Sequence, residues 1–142
     1  MEIAIDFDGT CVTHEFPNVG KDIGAAPILR RLVDAGHRLI LFTMRSDGNH
    51  GASGEFPDIN GGLFLTDAIN WFKDNGIELY GIQKNPEQTW TTSPKAYAQL
   101  YIDDASLGCP LLFKKDISPR PFVDWERVEN TLMLSGILPF KS

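Results

Sequence analysis

Cysteine is scarce in this chain: Cys11 and Cys109 are the only two in 142 residues. Two thiols cannot build a disulfide framework, and their separation is no metal-ligand spacing. Long apolar runs are missing as well. The longest, Leu39-Ile40-Leu41-Phe42, falls far short of the roughly 20 residues that a membrane-crossing helix needs. The stretch from Met1 to Asp6 has neither a basic segment nor an apolar signal core, so the expected compartment is cytoplasmic and no membrane partner is expected. Positive charge is the third shortage. Thirteen Lys and Arg against 19 Asp and Glu leave a net charge of −6 and a pI near 4.9. No basic run supplies the cationic field that nucleic-acid binding requires.

What is present is the balance of a core-forming protein: 42% hydrophobic and 23% charged residues, in the length of one average domain. Residues 1–142 are therefore read as a single domain. Apolar runs alternate with amphipathic stretches. Strands are expected at Met1–Phe7, His37–Thr43, Ile77–Ile82 and Leu100–Ile102, with a short fifth at Leu111–Phe113. Pro27 suits a first helical turn, Ile28, Leu29, Leu32 and Val33 follow at helical spacing, and Gly36 ends that helix. Leu65, Ala68, Ile69 and Phe72 make a second stripe closed by Asn75-Gly76, and Ser93-Pro94 reads as the start of a short helix. Asp124 is a candidate N-cap for a last helix carrying Val128 and Leu132 inward, up to Gly136. This order predicts an α/β layered fold with a mostly parallel sheet.

Ligands of such sheets bind beyond the carboxyl ends of the strands. Polar residues stand at four of those ends: Asp6-Phe7-Asp8-Gly9-Thr10, Thr43, the loop after Ile82, and Asp103-Asp104. In an extended segment residues two apart share a side, so Asp6 and Asp8 are expected to face one site. Close carboxylates repel unless a proton or cation compensates them, and the natural counter-ion is a hard one such as Mg²⁺. Each signal has a plainer alternative: an Asp-Gly turn, an N-cap pair, a β-branched strand end. The Gly-rich stretch from Arg45 to Gly62 reads as a long loop and a candidate partial lid, with Arg45 and His50 as candidate substrate contacts.

The ordered set of Asp-x-Asp-Gly-Thr after strand one, Thr43 after strand two, a lysine, and Asp103-Asp104 after strand four resembles the haloacid dehalogenase superfamily of phosphohydrolases. It looks most like the short, capless members. The resemblance implies a doubly wound, Rossmann-like sheet of five strands in the order 5-4-1-2-3, which sets strands one and four side by side. It further implies a Mg²⁺-dependent phosphatase acting on phosphomonoesters through an aspartyl-phosphate. Asp6 would be the nucleophile, and Asp8 the general acid and then base. Thr43, with the backbone N–H groups of Met44 and Arg45, would bind the phosphoryl oxygens, and Gly9 and Thr10 would line the same phosphate site. Lys95 would add positive charge, Lys84 being the other candidate. Asp6, Asp8 (through its backbone carbonyl), Asp103 and Asp104 would hold the metal, with the order of the last two left open.

Neither interval between these motifs has room for a cap domain of about 50 residues or more. An open site suits a phosphorylated macromolecule as well as a phosphorylated small molecule. Two rival readings stand beside the phosphatase. One is a phospho-accepting receiver module, which the late position of Asp103-Asp104 disfavours. The other is a catalytically silent protein that keeps the fold and binds phosphate and Mg²⁺. Cys11 and Cys109 could form an oxidation-sensitive pair at the rim, against the plainer reading as small buried hydrophobes. Trp71, beside Phe72, is read as core, whereas Trp90 is a candidate stacking platform.

Overall fold

The computed structural model describes residues 1–48 and 62–142. Its elements run β1 (Glu2–Ile5), α1 (Ala25–Asp34), β2 (Arg38–Leu41), α2 (Phe64–Asp74), β3 (Gly81–Ile82), β4 (Leu100–Ile102), β5 (Leu111–Leu112), β6 (Phe122–Val123) and α3 (Trp125–Leu134). Ile3, Ala4 and Ile5 are all buried, as in a central parallel strand covered on both faces. β1 pairs in parallel with β2 and with β4, and β2 pairs in parallel with β3. Ile5 stands opposite both Leu41 and Ile102, so the strands end level with one another.

All three described helices stop in the same way. Gly36, Gly76 and Gly136 take positive φ, and the next residue's N–H reaches back: His37 to Leu32 O, Ile77 to Phe72 O, Ile137 to Leu132 O. This cap satisfies carbonyls that a helix end leaves open, and it explains why Gly marked the ends so well. Asp124 caps α3 as its position suggested, accepting from the Arg127 N–H.

Right-handed crossovers from β1 to β2 and from β2 to β3 step the same way, which puts α1 and α2 on one face. Ile3, Ile5, Leu39, Leu41 and Ile102 join the buried residues of all three helices in one apolar cluster. Leu29 and Phe72 are fully buried within it; such side chains stabilise by about 1.5–3 kcal/mol each. The connection from β3 to β4 steps back across the sheet and covers the opposite face, where Ala4 and Ile40 are buried. It is irregular: the Tyr101 hydroxyl donates to Ala96 O, and Asn85 Nδ2 donates to Tyr97 O.

The fold is thus α/β, with a mostly parallel sheet of four strands in the order β3-β2-β1-β4. The expected outer fifth strand does not join it. Leu111–Leu112 pairs instead with Phe122–Val123 in an antiparallel hairpin, and the Val123 N–H donates to Gly9 O, which fixes the hairpin to the turn after β1. The short helix at Ser93-Pro94 is also absent. Thr91 Oγ1 accepts from the Ser93 N–H and Ser93 Oγ from the Lys95 N–H, so side chains take the donors that a helix would use. Of the run Ile77–Ile82, only Gly81–Ile82 enters the ladder.

Candidate functional site

Level strand ends bring the acidic residues together. The Asp6 N–H donates to Ile102 O, which lays Asp6 beside Asp103. One carboxylate oxygen from each of Asp6, Asp103 and Asp104 lies within 4.8 Å of the other two. Thr10, fully buried, is the strut between them. Its hydroxyl lies 2.8 Å from Asp6 Oδ2 and 3.2 Å from Asp104 Oδ1, and it accepts from the Asp104 N–H at 3.0 Å. A substrate cannot reach that hydroxyl, so the expected substrate contact at Thr10 is corrected to a structural one.

Gly9 is buried too, with φ +80°, and a Cβ there would stand 2.0 Å from His14 Nε2 and 2.6 Å from Asp104 Oδ2. The position admits only glycine, because the turn must let His14 and Asp104 close over it. His14 Nε2 sits 2.8 Å from Asp104 Oδ2. Trp125 donates from Nε1 to Thr10 O at 2.7 Å and pins the turn from the α3 side.

The electrostatics follow from this crowding. Burial pushes the Asp6 carboxyl up to about 8 from its usual 3.8, with Asp104 and Asp103 adding to the rise and the Thr10 hydroxyl opposing it. Burial likewise raises Asp103, against the Ala105 N–H that it accepts. Among the described residues no Lys or Arg pairs with Asp6, Asp103 or Asp104. Three hard oxygen donors without a Lys or Arg partner among the described residues fit a divalent ion such as Mg²⁺.

Asp8 stands apart from these three. β1 ends at Ile5, and Asp8 precedes the turn at Gly9 and Thr10. The Asp8 carboxylate is gripped from two points by Arg45, Nε to Oδ2 at 2.8 Å and Nη2 to Oδ1 at 2.7 Å. The remaining Arg45 donors go to the carbonyls of Asn18, Phe64 and Pro17. Its side chain is 1% exposed, and its guanidinium lies 5.0 Å and 5.1 Å from the Phe7 and Phe16 rings. A guanidinium has five N–H groups, and all are engaged here. Arg45 is therefore a buried partner of Asp8 and not the substrate contact read from the sequence.

Thr43 stands two residues past the end of β2, after Phe42, and its surroundings come from the loop after Ile82. Gln83, at φ 65°, accepts from the Thr43 N–H at 2.9 Å and donates to Thr43 O at 2.7 Å and Arg45 O at 3.0 Å. The Arg45 N–H, expected to face a phosphoryl group, is bonded to Thr43 Oγ1 at 3.1 Å. Met44 is fully exposed between them. Nothing in the sequence singled out Gln83, although its loop was one of the four places indicated.

A solved structure of a conserved protein from Bacteroides thetaiotaomicron is similar to this one, with 32% identity over 96% of this chain and 90% of that chain and a TM-score of 0.67. This chain belongs to the family of that conserved protein. No family model and no curated protein matches.

Other predicted residues of this family member fall elsewhere. Lys84 and Lys95 are exposed, and neither forms an ion pair among the described residues. The Lys95 ammonium lies 5.8 Å from the Tyr101 ring centre. His50 lies outside the described residues, as does most of the candidate lid. Cys11 is fully buried, donates to Asp6 O, and has its thiol pushed up by burial. That environment makes it an inert hydrophobe and corrects the expectation of an oxidation-sensitive pair. Trp71 packs edge-on against Phe7 and Phe72, as core, whereas Trp90 is 63% exposed. No described helix is long and apolar enough to cross a membrane.

Proposed function

We propose that this protein is a Mg²⁺-dependent phosphomonoester hydrolase of the haloacid dehalogenase kind. The observation that carries the reading is the convergence of Asp6, Asp103 and Asp104 within 4.8 Å at the level ends of β1 and β4. Those carboxylates, with the Asp8 backbone carbonyl, would hold Mg²⁺, which when bound offsets their charge against an incoming phosphate dianion. Asp6 attacks phosphorus, the ester oxygen departs, and an aspartyl-phosphate forms on Asp6. The departing oxygen takes a proton from Asp8, and the same carboxylate then draws a proton from the water that cleaves the intermediate. Thr43 and the Met44 N–H receive the transferring oxygens, held in place by Gln83, with a lysine (Lys95 or Lys84) adding charge. The substrate is a phosphorylated small molecule or macromolecule, and the compartment is cytoplasmic.

One observation favours a second reading. Both Asp8 carboxylate oxygens are taken up by Arg45, and Asp8 must leave that pair before it can act as an acid. A protein in which it never leaves would bind phosphate and Mg²⁺ with little turnover. Hydrolysis of phenyl phosphate, with Mg²⁺ or with EDTA, separates the two. The phosphatase predicts Mg²⁺-dependent turnover that is lost in Asp6→Asn and Asp8→Asn. Absence of turnover with Mg²⁺ binding intact would support the second reading.

A further inference from the structure

The segment that covers the face of the sheet opposite α1 and α2 carries a pocket of which the proposed chemistry uses at most Lys95. Trp90 and Tyr97 are 63% and 48% exposed. Large aromatics left in solvent on a small domain call for an explanation, since their burial stabilises strongly. Their rings meet at 84° with centres 5.2 Å apart, so they form a right-angled aromatic corner. The corner opens on a cavity of about 300 Å³ whose wall also includes Thr91, Ser93, Lys95 and Tyr101, and no Asp or Glu. That volume is at the small end of ligand pockets, the size of a single ring with a substituent.

The walls are fixed before any ligand arrives. Gln88 donates to Lys95 O at 3.0 Å and accepts from the Tyr97 N–H at 2.7 Å, which ties one side of the pocket to the other. Thr91 Oγ1 and Ser93 Oγ each accept a backbone N–H, and each keeps its own hydrogen to donate. With the Lys95 ammonium, the pocket offers hydrogen-bond donors, one positive charge and two aromatic faces. In a chain of net charge −6 this is a local exception. Its complement is a flat ring that carries an anionic, acceptor-rich group. Tyr101 links the pocket to the residue before Thr43. The Tyr101 ring meets Phe42 at 6.0 Å, and Phe42 directly precedes Thr43.

We infer that this pocket seats the ring of a ring-bearing phosphomonoester, an aryl phosphate or a nucleoside monophosphate, with the ring against Trp90 and Tyr97 and the anionic end toward Lys95. Its role as a substrate pocket rests on the phosphatase reading, whereas its ligand preference stands by itself.

Calorimetric titration of the full chain carrying Asp6→Asn, in EDTA, tests the preference without turnover or metal. The probes are phenyl phosphate, adenosine monophosphate and ringless glycerol phosphate. Stacking on an aromatic side chain is worth about ten-fold or more in affinity, so both ring-bearing probes are expected to bind at least about ten-fold more tightly than glycerol phosphate. Adding Trp90→Ala should bring them down to the glycerol phosphate level and leave glycerol phosphate unchanged. The tighter of the two ring-bearing probes names the source of the ring. Equal affinities for all three probes, or a preference that survives Trp90→Ala, would overturn the inference. Mg²⁺-dependent turnover of phenyl phosphate by the wild type is scored separately. Turnover without ring preference defeats the pocket alone, and ring preference without turnover defeats the phosphatase alone.

Discussion

Replacing Arg45 by Met keeps most of the side chain's length and removes its guanidinium from an environment where it is 1% exposed and bonded five times. The Asp8 carboxylate then loses both of its charged donors, and the carbonyls of Asn18 and Phe64 lose theirs. Breaking a buried ion pair from one side typically costs about 3–5 kcal/mol. Asp8 is 19% exposed and recovers some hydration, so about 3 kcal/mol is the expected loss. For a chain of this size that lowers the melting temperature by about 6–12 °C. Urea unfolding followed by tryptophan fluorescence reads it directly. Asp8→Asn alone should also destabilise, by leaving a buried guanidinium half-paired. The double variant should lose less than the two single losses added, with a coupling of at least about 1.5 kcal/mol. A loss under about 0.5 kcal/mol for Arg45→Met is what an exposed substrate-binding arginine would give. That result, or strictly additive losses, would refute the clamp.

Asp6 makes stability depend on pH in a stated direction. Its carboxyl keeps a proton to about pH 8 in the fold but only to about 3.8 when unfolded. Below 3.8 both states are protonated and nothing is lost; between 3.8 and about 8 the unfolded state gives up its proton while the fold keeps it, so the fold weakens as pH rises through that window. Asp6→Asn should therefore be more stable than wild type at pH 8, by about 2–4 kcal/mol once water at the open side is allowed for, and near wild type at pH 4. Urea midpoints at the two pH values check this, and a larger gain at pH 4 would contradict it. Thr10→Val, a change of shape as small as chemistry permits, should cost about 2 kcal/mol because the Asp104 N–H is left without its acceptor. It should also weaken Mg²⁺ binding in calorimetry, since nothing then holds Asp6 to Asp104. Gly9→Ala should reduce the yield of folded protein sharply, judged by circular dichroism, because its Cβ would overlap His14.

The residues explain why some of this was legible in the sequence and some was not. Helix ends were, because Gly36, Gly76 and Gly136 act through a local backbone rule. The three-carboxylate cluster was also legible, because parallel strands of matched length deliver their next residues to one place, and Asp6 and Asp103 are those residues. Asp8 lies past the end of β1, and its carboxylate is held by Arg45. The choice of Arg45 as its partner depends on two loops meeting in space, with no signal in spacing. The fifth strand failed for a similar reason, since Leu111–Leu112 can pair with any open edge and found Phe122–Val123. Gln83 and His14 act through side chains from separate turns, and polar residues in turns are too common to be singled out.

The account's central claim is a covalent one, and it is tested most directly by acid-quenching the protein during turnover of phenyl phosphate and mapping phosphate by mass spectrometry. The account predicts phosphate on the peptide carrying Asp6 with Mg²⁺ present, and none with EDTA or in Asp6→Asn. Steady turnover with Asp6 never phosphorylated, or phosphate on Asp103 or Asp104 in its place, would contradict it.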